Sequence, residues 1–384
     1  MPKVVFKALV GQARAAATLA RAIESGHVGQ AYLFCGDEGV GTFTAAREFA
    51  CALLCGDART VPCMTCESCR TLMRHANPDF HLVMPVCLDK EHRKSDGTLS
   101  DEGWQHLDRQ CRKKITDPYA ITAPDGIADI PVEWIREVNH AIQRGSVQRQ
   151  RNVAVICDID LMNRTSANAM LKTLEEPPAN TVIILTSARP WAVLPTIVSR
   201  CQILRFGSIG DRDMAAALSK RSGLPEDDER ILNTIRCAEG SLGTALNLLE
   251  QPVEQFMAQA RELLSLACGS SRLEAAIGLE RFIDTALDSG RNADAAQRLL
   301  LYVMYGIRDS FLRACGATEK YIRKECVCDI AAGGTAGAGK AAALAQECQR
   351  TIAALKARGN VQLVLAAWLI SMMEMMHGEK QASC

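Results

Sequence analysis

The stretch AYLFCGDEGVGTFTAAREFA, residues 31–50, joins a short apolar run to a glycine-rich turn and a helical pattern. In a phosphate-binding loop, backbone N–H groups cradle phosphates, a lysine reaches the β- and γ-phosphates, and the next Ser or Thr binds Mg²⁺. The glycine positions of such a loop are kept at Gly36, Gly39 and Gly41. Thr42 stands at the lysine position and Phe43 at the Mg²⁺-ligand position. The stretch predicts either a retired nucleotide site or a strand-to-helix turn that needs glycine for its backbone.

The charge around this turn also disfavours a nucleotide. Asp37 and Glu38 place negative charge beside the glycines, and no lysine offsets it. A charge-assisted hydrogen bond is worth about 1.5–3 kcal/mol, so loss of the lysine should weaken nucleotide binding by roughly ten- to a hundredfold. We therefore expect weak or no ATP binding, and still less hydrolysis.

Apolar runs separated by helical patterns surround the turn and predict a five-stranded parallel sheet covered by helices, an α/β fold. The runs are 31–34, 80–84, 153–157, 182–185 and 202–206. Between Asn163 and Pro177, a helical stripe is predicted at i, i+3, i+4 and i+7, formed by Ala167, Met170, Leu171 and Leu174. Pro177 and Pro178 should end that helix. Residues 87–127 interrupt the alternation and are interpreted as an insertion whose fold the sequence does not reveal.

Helical periodicity replaces the strand pattern after Phe206, which predicts an all-helical second half. Gly240 and the Gln251-Pro252 break suggest three parts, at 1–206, 207–252 and 253–384. Within the last part, residues 333–339 are predicted to form a small-residue loop.

A second match to the phosphate-loop spacing occurs in GTAGAGKA, through Gly334, Gly339 and Lys340. Ala341 replaces the hydroxyl residue there and no clear strand precedes the match. We therefore reject it as a nucleotide site and expect an interhelical loop.

The run NVAVICDIDLMN, residues 152–163, ends a predicted strand with acidic residues, as ATPases do for Mg²⁺ and water activation. Cys157 falls where the metal-linked Asp is expected, which leaves Asp158 at the following acidic position. Asp158 and Asp160 could serve acid–base chemistry, but helix-capping or solvent-facing roles are favoured.

Four cysteines form the pattern CX7CX2CX2C within residues 55–69: Cys55, Cys63, Cys66 and Cys69. Four thiolates at this spacing can close a tetrahedral Zn²⁺ site, which is structural because no position remains for water or substrate. The module is placed at about 51–75. Free or redox-active thiols are the alternative. Cys51 precedes Cys55 by one helical turn and is either a competing ligand or a buried core thiol.

The composition limits where the protein can reside and what it can bind. The 384 residues carry 44 basic and 44 acidic side chains, so no global positive field recruits nucleic acid. The first residues lack an apolar run behind a basic leader, and residues 361–376 are too short to span a membrane. These features predict a cytoplasmic protein that is not inserted in a membrane. Seventeen cysteines are then expected to be reduced or metal-bound.

The stretch NRTSANAMLKTLEEPPANTVIILTSARPWAVLPTIVSRCQ, residues 163–202, closely resembles bacterial clamp-loader AAA+ subunits. The likeness extends over about 8–250, apart from the insertion, and its LKTLEEPP and SRC segments are highly specific. It implies a RecA-like AAA+ domain, a helical lid at 207–252 and a C-terminal collar at 253–384 through which five subunits form a ring. Zinc modules occur at the corresponding place in related subunits.

The same resemblance gives Arg200 a role. In the family, the arginine of SRC reaches into the nucleotide site of the adjacent subunit as an arginine finger, which can raise kcat by roughly 10³–10⁵. Without the family, an arginine between a helix and a strand would be interpreted as a surface or salt-bridged residue. By resemblance, active members also carry an arginine where Gly243 stands. Three departures, at Thr42, Cys157 and Gly243, favour a member that does not hydrolyse ATP.

The implied partners are gamma/tau ATPase and delta clamp-loader subunits in a hetero-pentameric ring, with the sliding clamp and primer-template DNA contacted through the complex. The alternative is a divergent gamma/tau-like ATPase that binds nucleotide through Thr42, Thr44 and backbone groups. A zinc-dependent nucleic-acid-binding module, using Arg70 and Arg74 beside the cysteines, is a third interpretation.

Overall fold

A computed structural model describes residues 3–57, 59–121, 128–147, 151–250, 253–269, 271–287, 293–317, 334–356 and 359–377. The chain divides into two compact units. The first is drawn from Met1–Ile231 and Ala238–Asn247, and the second from Leu232–Cys237 and Leu248–Cys384. The three-part division into sheet domain, lid and collar stays a prediction.

The first unit contains two parallel sheets. The strands are Lys3–Val4 (β1), Ala31–Cys35 (β2), Thr60–Val61 (β3), Phe80–Val83 (β4), Asn152–Ile156 (β5), Thr181–Ser187 (β6) and Gln202–Arg205 (β7). β1 pairs with β3, and the main sheet has the order β4-β5-β6-β2-β7. All its pairings are parallel, which confirms the five predicted runs. β2, β5 and β6 are buried throughout, as expected for strands covered on both faces.

Helices alternate with these strands and follow them along the chain to residue 249. They are Ala13–Glu24 (α1), Thr42–Leu54 (α2), Glu67–Met73 (α3), Asp101–Thr116 (α4), Val132–Gln143 (α5), Arg164–Glu175 (α6), Pro195–Val198 (α7), Asp211–Ser222 (α8), Glu229–Ala238 (α9) and Leu242–Leu249 (α10). β2 leads through the glycine turn into α2, so the quoted stretch forms the predicted strand, turn and helix.

Helix α6 forms where the apolar stripe predicted it. The side chain of Asn163 caps its start by accepting a hydrogen bond from the Ser166 N–H at 2.9 Å. Ala167, Met170 and Leu174 are buried, whereas Leu171 is half-buried. Fully burying a leucine or methionine side chain contributes about 1.5–3 kcal/mol. The helix ends at Glu175, before the two prolines.

The insertion contains a well-defined helix, α4. Ser100 caps its start by accepting a hydrogen bond from the Gly103 N–H at 3.1 Å. Leu107, Cys111 and Ile115 are buried on its inner face and belong to the same core as the sheet. Part of the 87–127 segment is therefore integral to the first unit.

The second unit is built on helices Val253–Cys268 (α11), Arg272–Ala286 (α12), Ala293–Ala314 (α13), Gly334–Lys356 (α14) and Val361–His377 (α15). α13 packs against α11 and α14, and α15 contributes the fully buried Trp368. After β7, the secondary structure of the described residues is helical. None of the described helices combines the length and apolarity that crossing a membrane requires.

The prediction of a loop at 333–339 is wrong, because α14 begins at Gly334. Glycine costs about 1 kcal/mol in a helix relative to alanine, which made the segment look unfavourable. Alanines surround the glycines, and buried Ala341, Leu344 and Cys348 form an apolar stripe on the same helix. Tertiary packing thus overrides local propensity. A continuous helix also agrees with the rejection of this segment as a phosphate loop.

Candidate functional site

The glycine loop joins β2 to α2 at the carboxyl edge of the main sheet. Gly39 and Gly41 have φ of +78° and +105°, values that a side chain would strain. Gly41 caps α2, and Thr42, its first residue, is half-buried. Phe43 is only 5% exposed and belongs to the core. The side chain at the Mg²⁺-ligand position therefore serves packing and has no oxygen for a metal.

Helix α10 closes directly over this loop. The Ser241 hydroxyl donates to the Glu38 carbonyl at 2.7 Å, and the Gly243 N–H donates to the Gly39 carbonyl at 3.0 Å. A Cβ on Gly243 would lie 2.4 Å from the Tyr119 carbonyl oxygen and 2.9 Å from the Gly39 Cα. Glycine is thus required for this closure, and an arginine at 243 has no room in it.

The ends of β5 and β6 bring the predicted acidic position to the glycine loop. The Gly36 N–H donates to the Ser187 carbonyl at 3.2 Å, and the Asp158 N–H donates to Thr186 Oγ1 at 3.0 Å. Cys157, at the metal-ligand position, is buried, and its N–H donates to the Val83 carbonyl at 2.8 Å. Burial raises the pKa of the Cys157 thiol, so a neutral SH group replaces a carboxylate there.

Asp158 has unusual backbone and electrostatic surroundings. Its φ is +49°, and its side chain makes no capping hydrogen bond. Burial raises its pKa to about 6; the charge of Lys114 lowers that pKa, whereas Glu38 and Asp160 raise it. The carboxyl group faces one lysine and two carboxylates, and the lysine comes from α4, not from the glycine loop.

The favoured capping or solvent-facing role is wrong for Asp160. Its side chain is 3% exposed and ion-paired with Arg189, whose Nε lies 2.8 Å from Oδ2. The Ser187 hydroxyl donates to Oδ1 at 2.8 Å. Asp160 is a structural anchor for the segment after β6, because both of its oxygens are occupied within the chain.

Arg200 lies in the short connection between α7 and β7, two residues before β7 begins. Its guanidinium donates to the Thr196 carbonyl at 2.8 Å and forms an ion pair of 2.8 Å with Glu175, at the end of α6. The arginine side chain is 35% exposed and the glutamate side chain 48%. An exposed pair of this kind contributes about 0.2–1 kcal/mol, so Arg200 can leave Glu175 at little cost.

The sheet register separates Arg200 from the glycine loop of its own chain. Gln202 pairs with Tyr32 and Arg205 pairs with Cys35, so β7 and β2 run side by side in the same direction. Arg200 precedes this paired region, whereas the glycine loop follows it. At about 3.3 Å per residue, the three steps of strand alone separate them by about 10 Å. The glycine loop thus lies at the carboxyl ends of the strands, and Arg200 lies at their amino ends.

The four predicted cysteines come together. The sulfur atoms of Cys55, Cys63, Cys66 and Cys69 all lie within 4.8 Å of one another, the group with metal-binding spacing among the described residues. The Cys55 and Cys66 sulfurs are 3.9 Å apart, close to the ~3.8 Å that tetrahedral Zn–S bonds of about 2.3 Å require. The Cys63 N–H also donates to the Cys55 sulfur, at 3.4 Å. These residues fit a closed metal site.

Cys51 does not join this cluster. It is buried in the main core, and its carbonyl accepts a hydrogen bond from the Cys69 sulfur at 4.0 Å. The interpretation of Cys51 as a core thiol therefore agrees with its position.

Sequence comparison places the chain among known proteins. The family described as "DNA polymerase III, delta subunit" matches residues 11–210, more than half of the chain. The chain belongs to this clamp-loader family. The match covers the main sheet, the glycine loop, the cysteine cluster and Arg200.

Relatives of the clamp-loader chain include two kinds of DNA polymerase III subunit. The gamma/tau subunit of Mycobacterium bovis is 30% identical over 250 residues, which are 64% of this chain and 36% of that protein. The delta' subunit of Haemophilus influenzae is 26% identical over 64% of this chain and 62% of its own length. The delta' subunit of Bacillus subtilis is 27% identical over 51% and 47%. The chain thus spans about a third to three fifths of these relatives.

Sequence reasoning about this clamp-loader chain missed Lys114 and Tyr119, which lie beside Asp158 and Gly243. Both lie in or just after α4. Helical spacing of Trp104, Leu107 and Cys111, behind the capping Ser100, could have revealed the helix. The contacts that these two residues make beyond the insertion have no local signal in the sequence.

Proposed function

We propose that this chain is a delta-prime-type clamp-loader subunit that does not hydrolyse ATP and supplies Arg200 to the site of a neighbouring ATPase. The observation that carries the proposal is that the glycine loop and Arg200 lie at opposite ends of the strands of one sheet. The covered glycine loop lacks the lysine and the Mg²⁺ ligand, whereas Arg200 lies near the surface at the opposite strand ends.

The chain has lost the groups that phosphoryl transfer needs. Catalysis of that reaction depends on positioning and on charge stabilisation by lysine, metal and arginine. Thr42 and Phe43 cannot supply a cation and a metal ligand, Cys157 supplies a thiol, and Gly243 leaves no lid arginine. These losses support a subunit that acts as a stator.

Arg200 acts in trans in this proposal. A guanidinium that enters a neighbour's site stabilises the charge that develops on the transferred phosphoryl group. The partners are a gamma/tau ATPase and a delta subunit in a hetero-pentameric ring, with 207–252 as lid and 253–384 as collar. The ring loads the sliding clamp onto primer-template DNA during replication.

The cysteine cluster holds a structural zinc ion in this proposal. Four thiolates fill a tetrahedral shell, so the metal stabilises the 51–75 module and takes no part in catalysis. Elemental analysis of the purified chain should give one zinc per chain. A Cys63→Ser/Cys66→Ser variant should lose it, whereas the control Cys315→Ser, at an exposed thiol, should keep it. Full zinc retention by the double variant would overturn this assignment.

A gamma/tau-like ATPase is the second candidate, because a gamma/tau relative reaches 30% identity. Titration of the isolated chain with Mg-ATP, followed by turnover measurement, separates the two. The delta-prime type predicts neither saturable binding nor turnover alone, together with assembly into a ring with gamma/tau and delta. Saturable binding and robust turnover by the isolated chain would establish the ATPase instead.

A further inference from the structure

Residues 114–121, at the end of the insertion helix and just beyond it, contact both the glycine loop and the lid helix α10. We call them the plug segment. Tyr119, a buried aromatic side chain of this segment, is 7% exposed. Its backbone carbonyl lies against Gly243 of α10, and its ring lies against Gly41 of the glycine loop. A Cβ on Gly41 would be 3.1 Å from the Tyr119 hydroxyl and 3.2 Å from its ring.

The hydroxyl of Tyr119 binds the backbone near the start of the chain. It accepts a hydrogen bond from the Val10 N–H at 3.0 Å and donates one to the Ala8 carbonyl at 3.2 Å. A purine such as adenine combines an aromatic body with adjacent donor and acceptor atoms on its edge. Tyr119 offers a similar combination, since its aromatic ring carries a hydroxyl that both accepts and donates a hydrogen bond.

Lys114 brings a cation to the same place. Its Nζ lies 5.4 Å from the centre of the Phe43 ring and donates to the Ala120 carbonyl. The charge of Lys114 also acts on Asp158. In a working loop this positive charge belongs to the lysine at position 42 and attracts phosphate. Here the cation comes from the plug segment and faces the chain's own groups.

Buried and charged contacts hold the plug segment in place from two sides. Arg47 of α2 is 4% exposed and donates through its guanidinium to the Ile115 carbonyl at 2.6 Å. Arg221 of α8 forms a two-pronged ion pair with Asp117, at 3.2 and 2.9 Å. Bidentate pairing of arginine with a carboxylate fixes geometry as well as position.

We propose that residues 114–121 are a built-in occupant beside the contact of the glycine loop with the lid, where Tyr119 stands in for a purine base and Lys114 for the missing lysine. The lid is thereby held on the loop by the chain itself, with no nucleotide. This inference concerns the site that the proposed function leaves without ATP. Its test needs no ring assembly and no Arg200, so the two can fail separately.

Hydrogen–deuterium exchange on the full chain tests the occupant. Tyr119→Ala should speed exchange about tenfold or more in peptides covering 8–12 and 239–246, while the helices at 253–314 keep their rates. Tyr119→Phe keeps the ring and removes the hydroxyl, so it should speed exchange two- to tenfold around Val10 only, the range for one lost hydrogen bond. Unchanged rates in both variants would overturn the proposal.

A matched control removes a tyrosine hydroxyl elsewhere. Tyr305 donates to the Cys237 carbonyl at 2.9 Å, so Tyr305→Phe should leave 8–12 and 239–246 at wild-type rates. If Tyr119→Ala does not fold, Tyr119→Phe decides the test. Mg-ADP added to the wild type at millimolar concentration should change no rate in 8–12 or 36–43. Protection of those peptides by ADP would show an open site and overturn the proposal.

Discussion

The glycine loop and the segment around Arg200 belong to one sheet but have opposite surroundings. The loop is covered by α10, with a hydrogen bond from Gly243 to Gly39, and its key positions carry Thr42 and Phe43. The guanidinium of Arg200 contacts the Thr196 carbonyl, the hydroxyl of its neighbour Ser199 and the exposed carboxylate of Glu175. Because the two lie at opposite ends of the strands, the proposed loss of nucleotide chemistry at the loop does not involve Arg200, which the proposal assigns to a neighbour.

The largest expected effect on stability comes from disturbing the contact of Gly243 with the glycine loop. Alanine normally stabilises a helix relative to glycine by about 1 kcal/mol. Where α10 packs on the glycine loop, the added Cβ would clash with the Tyr119 carbonyl, so Gly243→Ala should lower the free energy of unfolding by about 3 kcal/mol. Denaturant unfolding measures this.

Gly210→Ala is the control for that prediction, since Gly210 has open space around its Cα and a φ of −67°. It should change stability by no more than about 1 kcal/mol. A stabilising effect of Gly243→Ala would contradict the close packing of α10 on the glycine loop.

Removing the Asp158 charge tests the electrostatic surroundings of this carboxyl group beside the glycine loop. Its folded pKa of about 6 lies above the unfolded 3.8, so the neutral form favours the fold. That contribution is complete below about pH 4 and is lost as pH rises through 6. Asp158→Asn, which tolerates a φ of +49°, should stabilise the chain by about 1–2 kcal/mol at pH 7.5.

This gain should vanish below pH 4, as thermal unfolding between pH 4 and 8 can show. Asp227→Asn, at an exposed aspartate, serves as the control. A gain for Asp158→Asn that is the same at every pH would contradict the raised pKa.

The smallest effect on stability is expected at the exposed ion pair of Arg200. Glu175→Ala removes the ion-pair partner of Arg200, and an exposed pair contributes less than about 1 kcal/mol. Stability should fall by about 0.5 kcal/mol or less, and the difference should shrink in high salt. A loss above 2 kcal/mol would show that Arg200 is a structural anchor and is not available to a partner.

The sequence predicted the main sheet well, because strands buried on both faces appear as continuous apolar runs such as Val153–Cys157. Helix α6 was equally legible from its stripe and its prolines. The helical start of α14 was missed, because its glycines hid an alanine-rich pattern whose packing decides the outcome. The role of Asp160 was also missed, since its ion pair with Arg189 depends on how two strand ends meet.

The sequence reveals which residues stand at the key positions of the candidate site, but not the contacts that surround them. Thr42, Cys157 and Gly243 are visible by position in the sequence. The contacts of Tyr119 reach back to Ala8 and Val10 and forward to Gly243, so they arise only from tertiary folding.

The central claim is that Arg200 serves a neighbour's nucleotide site. Its most direct test is the DNA- and clamp-stimulated ATPase rate of a reconstituted loader containing this chain, its Arg200→Ala variant, or the control Arg205→Ala at an exposed arginine on β7. All three preparations must assemble equally. The account predicts that Arg200→Ala lowers turnover by roughly 10³-fold at the site it serves, and that Arg205→Ala does not. An unchanged rate for Arg200→Ala in an intact ring would contradict it.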